Sequence, residues 1–267
     1  MDREKGLCRT RGLLLRNKTG QSLTPSSQRI DFRRRTHSPQ EFDFPGYCLM
    51  GFSRNLYGYI RQRYAVRKIT FMNPQHPYYL FSKDGREFAF ICPGVGAPAA
   101  GMLLDETIRL GAGVILFWGT AGIFDRNLKD CLILPKDAVS GEGTSRYYGM
   151  DESPCRPDPE LTARMESCFR KNRFPYAEGR VFTTDAPYRQ TRESLMDIKN
   201  RDCIAVDMEA SALFSVAAFY RKRIAGFLLP SDRVSEDGWE IHDPAHRPPM
   251  FRSTRLFELA VDILSGF

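Results

Sequence analysis

The chain has 267 residues, is 42% hydrophobic and carries a formal net charge of +7. That size gives one large α/β domain or two small ones an ample core, and no apolar run is long enough to span a bilayer. The charge is local: residues 1–36 hold eight Arg and two Lys against Asp2, Glu4 and Asp31. Residues 37–267 are therefore neutral overall, which removes the main support for nucleic-acid binding by the folded body.

Residues 1–36 read as a basic extension, expected to be disordered. Their Arg-rich, acid-poor composition is also that of a transit peptide, and "GLLL" is too short for a secretory signal. Residues 37–267 read as one folded unit. The seven cysteines are odd in number, widely spaced and contain no CxxC. A disulfide framework or zinc ribbon is disfavoured, and a reducing cytoplasm is the simplest setting.

In chain order, "YCLMGFS" (47–53) reads as a strand entering a glycine turn, and "NLYGYIRQRYA" as the helix after it. "EFAFICPGVG" (87–96) is a strand ending in a Pro/Gly turn. "APAAGMLLDETIRLG" (97–111) has helical apolar spacing with Gly111 at its end. "GVILFWGTAG" (113–122) is a strand, then a turn. "CLILPKDAV" is another strand, and "GEGTSRYYG" (141–149) a polar loop. "PDPELTARMESCFRKN" (157–172) is an amphipathic helix with Pro and acids at its start. "GRVFTTDAPYR" (179–189) is a strand entering a polar loop. "DCIAVDMEASALFSVAAFYRK" (202–222) is a strand and helix, "IAGFLLPSD" (224–232) a strand, and residues 249–267 a closing helix. Alternating strands and helices imply a mostly parallel or mixed sheet covered by helices.

The chemically loaded residues fall at the strand ends. In open α/β sheets, ligands bind beyond the carboxyl ends of the strands, so these turns predict a composite pocket. The two-histidine run "HDPAH" (242–246) has Pro244 between its histidines, which argues against a helical metal pair.

The segments "PGVGAPAAGMLLDETIRLGAGVILFWGTAGIF", "GEGTS", "VFTTDAPYR" and "AVDMEASALFSVA", with the later "SD", resemble the nucleoside phosphorylase-I family. It includes uridine phosphorylases, hexameric purine nucleoside phosphorylases and related nucleosidases. The resemblance covers about residues 45–265. It implies a three-layer α/β/α sandwich around a mixed, partly barrel-like twisted sheet. It also implies a homo-oligomer, either a dimer or a hexamer of dimers, and makes residues 37–267 a catalytic domain. The implied activity is phosphorolysis of a ribonucleoside to free base and ribose 1-phosphate. Phosphate is then a co-substrate; no cofactor, metal, nucleic acid or membrane is involved.

Carried over residue by residue, the resemblance assigns phosphate to Gly51, Arg54 and Thr120. It assigns ribose to Met208, Glu209 and, loosely, His37. Asp232 becomes the acid for the leaving base, and Phe182, Tyr188, Arg189 and Gln190 its neighbours. On the residues alone, Glu209 begins a helix of small apolar residues, where a buried carboxylate needs partners and a ribose diol would supply two. A surface glutamate favoured near a helix N-terminus fits as well. Thr144 and Tyr147 are candidate pocket walls.

Two departures matter. The family pattern Gly-Asp-Pro-x-Arg reads Gly51-Phe52-Ser53-Arg54 here, so the arginine comes one place early. Phe117 stands three residues before Thr120, where the phosphorylases usually carry an arginine. Phe cannot neutralise a dianion. Either Arg54, Arg67, Arg146 or Arg189 serves instead, or water replaces phosphate and the protein is a nucleosidase. A nucleoside-binding protein that has lost catalysis is the further alternative.

Overall fold

The computed structural model describes residues 22–36, 43–71, 73–150 and 154–267. The strands are β1 (Tyr47–Gly51), β2 (Arg67–Ile69), β3 (Tyr78–Lys83), β4 (Arg86–Ile91), β5 (Val114–Ile123), β6 (Leu132–Gly141), β7 (Tyr176–Thr184), β8 (Cys203–Asp207), β9 (Arg223–Ser235) and β10 (Gly238–Ile241). The helices are α1 (Ser26–Thr36), α2 (Asn55–Arg63), α3 (Ala97–Leu110), α4 (Thr144–Tyr147), α5 (Pro159–Lys171), α6 (Arg192–Asn200), α7 (Ala210–Phe219) and α8 (Ser253–Ser265).

The strands form one mixed sheet in the order β10-β9-β6-β7-β8-β5-β1-β4-β3-β2, and β9 pairs with β5 as well. That second pairing closes β5, β9, β6, β7 and β8 into a ring, so the sheet is partly a barrel. Helices α1, α3 and α7 bury their apolar residues on one face, through Ile30, Leu103, Leu104, Leu213 and Phe214. Helices α2, α5 and α8 bury Ile60, Phe169, Phe257 and Leu264 on the other. This is a three-layer α/β/α sandwich. Helix α7, made of small and apolar residues, is buried on nearly every side, as a helix without a polar face must be.

Three differences from the sequence reading have physical causes. Residues 26–36, expected to lie in a disordered extension, form α1; Ile30 buries against the α3 layer and Ser26 Oγ donates to Asp105. "GTAG" is not a turn. β5 runs through it, and the ring partner β9 holds it by parallel pairing. "PSD", read as the end of a strand, lies inside β9, which runs on to Ser235. Ala121 pairs with Pro230 but Gly122 pairs with Asp232, so Ser231 is an extra residue, a bulge.

Among the described residues, no helix is long and apolar enough to cross a membrane.

Candidate active site

A cleft of about 570 Å³ opens where β5, β7 and β8 end and along the bulged part of β9. Thr120, Met208, Glu209 and Asp232 line it, as do Tyr188 and Gln190 from the loop after β7. Most of the segments that the sequence marked as chemically loaded therefore converge, but "GEGTSRYYG" does not.

Glu209 stands just before the first turn of α7 and is only 8% exposed. One carboxylate oxygen accepts a hydrogen bond from the Gly96 amide at 2.6 Å. Gly96 has φ +97° and ψ 153°, a conformation close to closed to other residues, so the glycine is what aims this amide. Asp207 is buried two residues earlier and accepts from the amides of Glu209 (3.0 Å) and Ala210 (2.6 Å), capping α7. Thr183 Oγ1 donates to its other oxygen at 2.6 Å and accepts from the Ser211 amide. Asp207 is thus fully engaged with the protein, while Glu209, held by the Gly96 amide, lines the cleft. Burial, and then the neighbouring charge of Asp207, push the Glu209 carboxyl above its ordinary range; burial raises Asp207 too.

Asp232 follows the bulge, which turns its side chain toward the cleft. Its Oδ1 accepts from Ser231 Oγ at 2.6 Å and its Oδ2 from the Trp239 indole N–H at 2.8 Å. Gly122 makes room for it, since a Cβ there would lie 2.8 Å from Oδ2. Arg247 lies behind this carboxylate, in a smaller cavity lined also by Lys129 and His242. Its Nε is buried without a partner among the described residues. Burial lowers the guanidinium from its usual value, against the pull of the Asp232 charge.

"GEGTSRYYG" has a structural centre. Glu142 is buried and accepts from the amides of Thr144 and Ser145 and from the hydroxyls of Ser140, Ser145 and Ser211. It caps α4 and ties it to α7. Neither Thr144 nor Tyr147 lines the cleft. Thr144 turns its methyl toward Gly101 of α3, and Tyr147 is exposed.

Of the sequence-derived site residues, the structure gathers Thr120, Met208, Glu209, Tyr188, Gln190 and Asp232 on one cleft. Gly51, Arg54, Phe182 and Arg189 are not among its lining residues. A side chain at Gly51 would meet the Trp118 indole at 2.5 Å, so packing explains this glycine. Arg54 is exposed and donates to the Gln75 carbonyl at 3.3 Å. Phe182 packs beside Val139 and Ile198. Arg189 is exposed on the loop, and His37 lies outside the described residues. Phe117 is 1% exposed, points into the core and meets Phe214 edge-on at 5.6 Å. Arg67 donates to the Asp43 carbonyl, and neither it nor Arg146 lines the cleft.

Sequence reasoning missed Trp239, Ser231, Phe52 and Arg247. A lone Trp after a glycine in the polar run "SEDGWEIHDPAH" was the available signal for the first. Among the described residues, no three His, Cys, Asp or Glu side chains gather in a way that could hold a metal.

A ring-closed α/β/α sandwich with a carboxylate-lined cleft at its strand ends defines a class, and the sequence comparisons agree with it. The chain belongs to the phosphorylase superfamily, whose profile matches residues 47–251. It is 25% identical over 151 residues to a guanosine phosphorylase of Halorubrum lacusprofundi, covering 56% of this chain and 63% of that one. It is 28% identical over 148 residues to a uridine phosphorylase of Treponema pallidum, covering 51% and 57%. The match thus spans less than two thirds of these relatives' length. Among solved structures it resembles AMP nucleosidase from Bacteroides thetaiotaomicron, with TM-score 0.72 and 21% identity over 91% of this chain and 96% of that one. Purine nucleoside phosphorylase from Toxoplasma gondii gives TM-score 0.67 at 17% identity, over 84% and 90%. At these identities the structural likeness is one of fold.

Proposed function

We propose that this chain cleaves the N-glycosidic bond of a neutral ribonucleoside and that water is the nucleophile. The observation that carries this reading is the charge of the cleft. Among the described residues that line it are Asp207, Glu209 and Asp232, but no Lys, Arg or His. A phosphate dianion would enter beside three carboxyl groups with no cation on the cleft lining to pair with, whereas water enters at no such cost. The same argument disfavours a 5′-phosphate on the substrate. AMP should therefore be a far poorer substrate than adenosine, although AMP nucleosidase shares the fold. Equal turnover of the two would overturn the charge argument.

In this reading Glu209 accepts from the ribose 2′- and 3′-hydroxyls and Met208 packs on the sugar. Tyr188 and Gln190 meet the base, and Thr120 Oγ1 orients the water. The water oxygen bonds to the anomeric carbon as the bond to the base nitrogen breaks. Asp232 relays a proton to the departing base, and the second water proton stays on the new ribose hydroxyl. Asp232→Asn should slow base release by about 10²-fold, the lower range for loss of a general acid. Full activity in single-turnover measurements would remove Asp232 from the chemistry.

The pH profile gives a second check. Protonated Glu209 cannot accept from both hydroxyls. Because its carboxyl is raised, kcat/KM should fall as pH drops through a range above that of ordinary carboxylates. The limb belongs to the Asp207–Glu209 pair. Glu209→Gln should abolish it; a limb at ordinary carboxylate pH would contradict the assignment.

Phosphorolysis is the second reading. The names of the relatives favour it, and Arg54 stands two residues from Phe52 of the cleft wall. A homo-oligomer and a cytoplasmic setting complete the proposal, with no cofactor or metal required.

A further inference from the structure

Trp239 is the least expected side chain in the cleft. It lies on the edge strand β10, pairs with Val234 across the β9–β10 hairpin and is 58% exposed. A large apolar ring left this open at a concave site is available to a ligand. Its one polar atom is nevertheless committed, because the indole N–H donates to Asp232 Oδ2. Tyr188, 85% exposed, meets the indole edge-on, with ring centroids 6.2 Å apart at 70°. The two aromatic carriers are also tied together. Arg192 donates to the Glu236 carbonyl at the hairpin tip, and Lys199 pairs with the Glu236 carboxylate at 3.5 Å. Both cations belong to α6, which follows the Tyr188 loop. The hairpin tip and the Tyr188 loop therefore form one linked rim.

Resting on the proposed nucleoside reading, we propose that Trp239 is a specificity-determining residue that holds the base's place on Asp232. In the free protein the indole N–H occupies Asp232 Oδ2. An arriving base offers its own N–H to that oxygen, and the indole turns to stack on the base opposite Tyr188. Only a planar ligand with an N–H donor at its edge can make both exchanges. The rim thereby selects nucleobases and rejects ligands that offer a ring without a donor or a donor without a ring. Base–aromatic stacking tolerates any base, so the rim favours planar bases as a class.

Tryptophan fluorescence tests this directly, because Trp118 is buried in the core at 4% exposure and Trp239 is the ligand-accessible one of the two. Titration with a free base, hypoxanthine or uracil, should change the emission saturably in the wild type and leave it unchanged in Trp239→Phe. Calorimetry should show base affinity about tenfold weaker in Trp239→Ala, within what one lost base–aromatic contact costs. Trp239→Phe, which keeps the ring and gives up the N–H, should restore it. Base binding with silent Trp239 emission, or with unchanged affinity in Trp239→Ala, would overturn the proposal and leave the functional reading standing. A protein that binds neither base nor nucleoside by calorimetry would overturn both.

Discussion

Glu209→Ala should lower kcat/KM for ribonucleosides by between about 10²- and 10⁴-fold. Two charge-assisted hydrogen bonds to a diol are worth roughly 1.5–3 kcal/mol each, and each 1.36 kcal/mol is a factor of ten. The loss should be selective. A 2′-deoxyribonucleoside offers one hydroxyl fewer, so the variant should discriminate less between the two sugars than the wild type does. Folding should not suffer, because the substitution removes a carboxyl that burial and Asp207 hold out of its ordinary range. The Gly96 amide that loses its acceptor sits beside Val95 of the cleft lining, where a water entering the space left by the carboxyl would take its place. An unchanged kcat/KM ratio between ribo- and deoxyribonucleosides, with an unchanged melting temperature, would show that Glu209 does not hold the diol.

Phe117→Arg should destabilise the fold and should not build a phosphate site. Placing an arginine where the phosphorylases carry one is an obvious design from the sequence. In the structure, however, Phe117 faces inward between Phe214 and Gly226, and a Cβ at Gly226 would lie 2.5 Å from its ring. An unpaired guanidinium there costs about 3–5 kcal/mol, which for a chain of this size lowers the melting temperature by roughly 10 °C. A stable Phe117→Arg variant whose base release depends on phosphate would mean that position 117 reaches the cleft. The core assignment would then be wrong.

The strands and helices with strong periodicity were legible from the sequence. These are α3, α5 and α8, whose apolar residues repeat at helical spacing; β1, β5 and α7 were legible as continuous apolar runs. Short elements were not: β2 and β3 carry mixed polar residues, and α6 depends on the capping box of Thr191 and Ser194. The glycines misled for a specific reason. A glycine at a strand end marks either a turn or a close approach. Gly122 is the second kind, because Asp232 of β9 needs its space. The ring closure that brings those strands together is long-range and leaves no local pattern.

The site divides along the same line. Glu209 and Met208 stand where the pattern located the ends of β8 and α7, Asp232 stands inside a β9 longer than the pattern showed, and the roles proposed for all three come from the family resemblance. Glu142 reads as a loop acid because its partner Ser211 lies 69 residues away. Trp239 was hidden by the hairpin, which no alternation announces in so polar a run. The missing cationic partner for phosphate was legible as the Phe117 departure. That no arginine or lysine is among the described residues lining the cleft needed the cleft itself.

The measurement that bears most directly on the water-cleaving reading is base release from inosine, adenosine, guanosine, uridine and thymidine, with and without phosphate. The expected result is release of base at the same rate in both, with free ribose as the sugar product. Release that requires phosphate and yields ribose 1-phosphate would contradict the reading and assign phosphate a cation the cleft does not itself line.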